Sequence, residues 1–556
     1  MIIFILIVVG IVSVAILFSV FKERNSRRKK IIEIREKWGN PTEDERDMRL
    51  VGLYKKHSPK TDGITAATNE DIDLDELFAF ADRANSKPGQ QYLYKKLHEP
   101  LLDAAILAQM DVDVANLNAD EAKREAIEYE LAKLGNKHAY YLAELFLMEQ
   151  LPLFDPLVAG YIQVSWLLII LLVVSLIFTT SPLALLSLVF IVLVNAALHY
   201  KNKGKIALYT HSLPQLPVLF DVSRWLEKNV AVNVTNNVKS SIHNLGKLKR
   251  SLFFVNFQNR VSGDPTDVLF AVFELIKTIF LLEGLMFIRS MKKVSAYRED
   301  IKTVYEYVAG IDFLITISSI RESLPNYCKP VFTNEAILDI KGLYHPLVTG
   351  CVPNSIISTN DIGALITGSN MSGKTTFIRS VVINTLFAQT IYTCCAEEYR
   401  APLLNIHTSV RVSDDVEEHK SYFQAEALSV LDIINQCGIN EPVKSLVIID
   451  EIFRGTNTIE RIAAAKSVLA YLTANHNFVF VSTHDLELAE LLGDEYAVYS
   501  FEETVADQRL VFDYKLKKGI LKNKNGIAIL QSLGYPETVV KDAYTVSEQL
   551  RKKYQL

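Results

Sequence analysis

The run Gly368-Ser-Asn-Met-Ser-Gly373-Lys374-Thr375 places two glycines, a lysine and a hydroxyl residue at the spacing G-x-x-x-x-G-K-[ST]. Glycines so placed let backbone N–H groups curl around a polyphosphate. The lysine then reaches the outer phosphates, and the next hydroxyl completes a Mg²⁺ shell. Two further runs supply what such a site needs. Ser445-Leu-Val-Ile-Ile-Asp450-Glu451 is apolar and ends in two carboxylates, the first suited to Mg²⁺ and the second to act as general base on water. Phe478-Val-Phe-Val-Ser-Thr483-His484 is apolar and ends in a histidine. A lone histidine there is ordinarily structural. Beside a phosphate site it is better read as a sensor of the terminal phosphate, because ligands bind at strand C-termini in open α/β sheets.

These residues need a strand–loop–helix scaffold. Gly363-Ala-Leu-Ile366 predicts a buried strand, and the stretch from Thr376 to Leu386 has helical periodicity. The expected phosphate cradle is Gly368, Ser369, Asn370, Met371, Ser372, Gly373, Lys374, Thr375 and Thr376. Thr375 and Asp450 are the expected metal residues.

At 556 residues the chain can hold two or three domains. Its net charge of −5 gives no global basic signature of a nucleic-acid binder. Basic clusters at Lys22–Lys30, Lys247–Arg250 and Lys515–Lys524 read singly as solvated faces or membrane flanks. Cys328, Cys351, Cys394, Cys395 and Cys437 show no metal-ligand spacing and fit reduced thiols.

Ile2 to Phe21 is uncharged and long enough to cross a bilayer, and a basic run follows at once. It predicts a signal anchor with its N-terminus outside. Two more apolar stretches, Leu157 to Phe178 and onward to Leu198, flank Thr179-Thr-Ser-Pro182. They predict a transmembrane helical hairpin, giving three spans and leaving the rest cytoplasmic, at the inner face of the cell membrane. Val268 to Phe287 is apolar too, but Glu274, Lys277 and Glu283 mark it as a core helix.

The ordered set GSNMSGKTT (368–376), SYFQAE (421–426), LVIIDEIFRGTNT (446–458) and FVSTHDLELAEL (480–491) resembles the ATPase domain of the MutS family. GLYHPLV (342–348) and GIAILQSLGYPETVVKDA (526–543) extend the match. Residues 72–101 are more weakly similar to the start of the family's helical core. The resemblance implies an α/β ABC-type P-loop ATPase domain preceded by an all-α core or lever domain, here interrupted by the hairpin. The expected parts are a signal anchor (1–21), basic linker (22–71), helical core (72–156), hairpin (157–199), second core segment (200–330) and ATPase domain (331–556).

The resemblance also implies ATP with Mg²⁺, and sandwiching of the nucleotide in a dimer, here a homodimer. Lys374, Glu451 and His484 are then the catalytic set, with Ser421 acting in trans; Tyr344 and His345 lie near the adenine. Ser369 stands where the family commonly has proline, and Ser372 and Phe453 where it has glycine. Phe453 is expected to put a large side chain at the dimer interface. DNA is the partner by analogy, branched or damaged rather than mismatched, since the stretch from Lys30 to Ile72 is too short for the family's mismatch-reading domain. The alternatives are a nucleotide-switched membrane scaffold that does not bind DNA and, more remotely, a transporter-type ATPase.

Overall fold

The computed structural model describes residues 18, 21–22, 24–41, 46–59, 63–148, 154–207, 212–230, 235–251, 268–369, 371–411, 422–438, 442–506, 509–520, 527, 530 and 534–554. Two units emerge. The first takes residues up to Lys60, Asp82–Lys95 and Val112–Glu322; the second takes Thr61–Ala81, Lys96–Asp111 and Ser323–Leu556.

The described part of the first unit is helical. Its axis is the long helix Arg298–Ser323, buried nearly all round through Ile301, Val304, Tyr305, Val308, Ile311 and Ile315. Apolar residues at these spacings line more than one face, as a central helix requires. Tyr305 packs against Phe146 and Tyr54, with ring centroids 5.0 and 5.2 Å away. Asp312, on the same helix, is fully buried. It accepts from the Asn85 and Ser86 backbone N–H groups at 3.0 and 2.7 Å and from the Ser86 hydroxyl at 2.5 Å. Ser86 Oγ also accepts from Gly89 N at 3.0 Å, starting the helix Lys87–His98 in the manner of an N-cap. Gly89 is obligatory here, because a Cβ would lie 2.1 Å from Asp312 Oδ2.

Helices Pro156–Thr179 and Pro182–Ala207 form a hairpin turned at Thr180, which adopts a left-handed φ of 45°. Mean hydropathy reaches 2.5 and 2.2 over their most apolar stretches, of which only 17% and 11% is buried; Leu157, Phe178, Leu183 and Phe190 point outward. By length and composition both could cross a membrane. A third helix meets the same criterion, but it is Arg298–Ser323, whose apolar stretch is 78% buried and serves as core. The anchor expected at residues 1–21 lies outside the described residues apart from Phe18 and Phe21. Near the open end of the hairpin, Tyr161 Oη donates to Asn195 Oδ1 at 2.8 Å, and Asn195 Nδ2 donates to Ile279 O at 2.6 Å. The segment expected as one helix from Val268 is broken at Leu281 (φ 48°) into Val268–Ile279 and Leu282–Ala296.

The second unit carries two sheets. Four strands, β1 (Val331–Phe332), β2 (Ile337–Leu343), β3 (Asn354–Thr359) and β5 (Glu398–Ala401), assemble in the order β1-β5-β2-β3. The larger sheet has the order β10-β9-β4-β8-β7-β6, from β4 (Gly363–Gly368), β6 (Asn405–Ser409), β7 (Ser445–Asp450), β8 (Phe478–Ser482), β9 (Tyr496–Ala506) and β10 (Arg509–Lys518). Its first five strands in chain order run parallel, and β10 returns antiparallel beside β9. The continuous apolar runs of β4, β7 and β8 are what a sheet covered on both faces requires.

The short helix Ala66–Asp71 also packs in this unit. Asp71 accepts from Thr408 Oγ1 at 2.6 Å and from the Val410 and Arg411 backbone N–H groups at 3.0 and 2.6 Å, closing the end of β6. Asp73 pairs with Arg379 at 3.0 Å.

Candidate active site

The phosphate loop leaves β4 at Gly368 and enters the helix Lys374–Thr390. Gly368 and Gly373 have φ of 146° and 104°, and a Cβ on Gly368 would sit 2.8 Å from both Phe501 O and Ser372 Oγ. Glycine is therefore demanded at these two positions. Met371, also left-handed at φ 70°, projects its side chain outward. Ser372 is buried, and among the described residues its hydroxyl finds no hydrogen-bond partner. Ser369 Oγ donates to Glu503 Oε2 on β9 at 2.8 Å, a bond that the family's commoner proline could not make. Asn370 and Ser421 lie outside the described residues.

Three strand ends converge on this loop. Thr375 Oγ1 donates to Asp450 Oδ2 at the end of β7 at 2.9 Å, and Ser482 Oγ on β8 donates to Asp450 Oδ1. Glu451 Oε1 lies 2.7 Å from His484 Nε2, and its Oε2 lies 3.0 Å from Arg454 Nε. The His484 imidazole, aided by Arg454 and Lys374, holds the Glu451 carboxyl below the usual glutamate range. Lys374 Nζ donates to Gly368 O and Ser369 O, both at 2.9 Å, and lies 3.5 Å from His484 Nε2. Burial lowers the pKa of Lys374, opposed by Glu451, Asp450 and Glu503. A buried ammonium aimed at a loop of backbone donors fits an anionic ligand.

Among the described residues, no group of three or more His, Cys, Asp and Glu could hold a metal ion alone. Thr375 and Asp450 offer the oxygen ligands Mg²⁺ prefers, and phosphate oxygens and water normally complete its shell. The residues present thus fit Mg²⁺ brought with a nucleotide.

A cleft of about 460 Å³ opens from the loop. Ser369, Met371, Gly373–Thr376 and Glu451 line its polar end, and Leu343, Val348–Val352, Asn354 and Tyr514 line the other. Tyr514 is missed by the sequence reading. It sits in a register break of the β9–β10 pair between Phe512 and Leu516, with φ 50°. Asn354 clamps this bulge, donating to Tyr514 O at 3.0 Å and accepting from Leu516 N at 2.8 Å. Alternation along Arg509–Lys518 gives no hint of a bulge, so the ring's direction was not readable from the chain.

Tyr344 and His345 do not line the cleft. Tyr344 Oη donates to Asn326 O at 2.5 Å. His345 is buried, with Nδ1 accepting from Leu347 N at 3.2 Å, and burial beside Arg379 pushes its pKa down to about 4. It is a neutral core histidine.

The loop after β7 also differs from expectation. Phe453 is only 6% exposed and packs inward, with its ring 5.9 Å from Phe423. It does not project toward an interface. Its φ is 63°, a left-handed conformation that explains why glycine suits this position. Glu426 is buried beneath the loop and accepts from Arg454 N at 3.2 Å. Burial raises its pKa, while the Arg454, Phe453 and Gly455 backbone N–H groups oppose the rise. Gly455 passes so close to Phe423 that a Cβ would lie 2.9 Å from the Phe423 backbone N.

Residues 364–551 match the family model for MutS domain V. The chain is 28% identical over 313 residues to the DNA mismatch repair protein MSH3 of Saccharomyces cerevisiae, covering 53% of this chain and 30% of that protein. It is 30% identical over 284 residues to the DNA mismatch repair protein MutS of Carboxydothermus hydrogenoformans, covering 49% and 33%. For the Clostridium novyi MutS the figures are 31% over 280 residues, 48% and 30%. The chain thus spans about a third of the length of the curated relatives it matches. It carries a MutS-type domain V, an ABC-type ATPase, and is distantly homologous to the mismatch-repair family over about half its length.

Proposed function

We propose that this chain is a membrane-anchored MutS-like ATPase that dimerises through its nucleotide domains and couples ATP binding and hydrolysis to DNA handling at the inner face of the cell membrane. The observation that carries the reading is the convergence of Lys374, Thr375, Asp450, Glu451 and His484 beyond the ends of β4, β7 and β8, with Lys374, Thr375 and Glu451 lining the cleft.

Magnesium-bound ATP supplies a polarised phosphoanhydride with a good leaving group. Lys374 exchanges the Gly368 and Ser369 carbonyls for phosphate oxygens. Thr375 and Asp450 would hold the Mg²⁺ ion. Glu451 accepts a proton from the attacking water, and for this it must be released from Arg454 and His484, whose hydrogen bonds make it a weak base. His484 then turns to the terminal phosphate. Ser421 donates across the dimer to the phosphate bound by the other copy.

The membrane part rests on the outward apolar faces of the hairpin. The DNA part rests on the mismatch-repair relatives, and its candidate surface is the helix Asn236–Ser251, which carries Lys239, Lys247, Lys249 and Arg250. Lys249 is already paired with Asp221, which leaves Lys239, Lys247 and Arg250 as the stronger candidates. Binding of the full-length protein to perfect, mismatched and branched duplexes should be measured with ATP, ADP and no nucleotide at two salt concentrations. Nucleotide-dependent, salt-sensitive binding supports the proposal. Intact ATPase activity without DNA binding in any condition would replace it with a nucleotide-switched membrane scaffold.

A further inference from the structure

Cys328 and Cys394 face each other across an isolated antiparallel bridge in the ATPase unit. The N–H of each donates to the carbonyl of the other, at 3.0 and 2.9 Å. Residues that exchange both bonds in this way hold their Cα atoms about 5.5 Å apart, inside the roughly 4.4–6.8 Å that a disulfide spans. The side chains meet as well. A hydrogen bond with Cys394, whose Sγ also donates to Asn384 O at 3.8 Å, lowers the pKa of the Cys328 thiol, outweighing the opposing effect of burial. Cys328 is partly exposed and Cys394 is buried, so one thiol is open to attack by a reagent and the other waits beside it.

The remaining cysteines lack this arrangement. Cys395 follows Cys394 and, in extended chain, points to the opposite face; burial pushes its thiol up to about 12. Cys351 accepts from His345 N at 3.3 Å. Cys437 lies in the apolar cluster around Val430 and Leu469.

We propose that Cys328 and Cys394 form a reversible dithiol–disulfide pair, a modification site joining the segment before β1 to the segment that follows the phosphate-loop helix. The oxidant is a small disulfide. The Cys328 thiolate attacks one of its sulfurs, forming a mixed disulfide and releasing one thiol. The Cys394 thiolate then attacks Cys328 Sγ, forming the internal bond and releasing the second thiol. Two protein thiols lose two electrons and two protons, and one small disulfide becomes two thiols. The product ties the chain entering β1 to the chain entering β5, just beyond the helix Lys374–Thr390.

The test is incubation of the full-length protein in detergent with glutathione disulfide at increasing ratios to glutathione. Acid quenching, alkylation and peptide mapping without reduction follow. The expected product is a linked Cys328–Cys394 peptide that dithiothreitol reverses. Iodoacetamide should label Cys328 in the reduced protein at least about tenfold faster than Cys395. Cys394→Ser should leave glutathione on Cys328, Cys328→Ser should leave Cys394 unmodified, and Cys351→Ser should form the bridge as the parent does. Failure of the folded parent to form the linked peptide at saturating glutathione disulfide overturns the proposal. So does stable glutathione on Cys328 in the parent, or pairing of Cys328 with Cys395.

Discussion

Asp312 in the helical unit and the Asp450–Glu451 pair in the ATPase unit are carboxylates withdrawn from water, and they are withdrawn for different ends. Asp312 is served by the main chain and hydroxyl of Asn85 and Ser86, groups fixed by the start of one helix. Burial pushes its pKa up to about 6 despite those bonds. Asp450 and Glu451 are served by Thr375, Ser482, Arg454 and His484, side chains from several elements around the phosphate loop. A carboxylate whose partners cannot leave is architecture; one whose partners can turn to a ligand is a site.

The largest effect expected on this comparison comes from Lys374→Ala. Removing the ammonium should weaken nucleotide binding by about 2–5 kcal/mol, read by titration with a fluorescent ATP analogue, while thermal unfolding stays near that of the parent. Unchanged affinity would remove the phosphate loop from the site. Glu451→Gln comes next: it should bind ATP yet hydrolyse it about 10²–10⁴-fold more slowly, and turnover at the parent rate would end its assignment as base. Asp312→Asn sets an amide against the Asn85 and Ser86 donors and should cost about 2–3 kcal/mol in denaturant unfolding. Nucleotide affinity should not move; if it did, the division between architecture and site would be wrong.

The smallest effect concerns Glu128, a buried carboxyl of the helical unit whose pKa burial raises to about 7, with Arg124 in opposition. Its folded pKa exceeds its unfolded one, so the folded state bears a cost that is full above about pH 7 and gone below about pH 4.5. Glu128→Gln should stabilise by about 1 kcal/mol at pH 8 and by nothing near pH 4.5. A gain equal at both pH values would assign the effect to packing instead.

The chemistry of the ATPase unit was legible because it is local. Gly368, Gly373, Lys374 and Thr375 are neighbours in sequence, Asp450 ends an apolar strand with Glu451 next to it, and His484 closely follows another. What was not legible depends on distant pairings. Nothing in Ala66–Asp71 announces that Asp71 will close the end of β6, more than three hundred residues on. Tyr514 reaches the cleft through a bulge that Asn354 holds. Phe453 reads as a bulky surface residue until its left-handed φ turns the ring inward against Phe423. Tyr344 and His345 were placed by family likeness alone, and neither lines the cleft.

The hairpin carries a consequence of thickness. At about 1.5 Å per residue its apolar spans, Pro156–Thr179 and Pro182–Lys203 with 24 and 22 residues, measure roughly 36 and 33 Å. A hydrocarbon layer is about 30 Å deep and varies by a few ångströms between membranes. Helices of this length set in such a layer must lean, and they lean more as the lipid thins. Reconstitution in lipids of graded acyl length should therefore shift the tilt of Pro156–Thr179 in oriented spectra if the hairpin spans the bilayer. A tilt indifferent to chain length would mean that another surface covers those side chains.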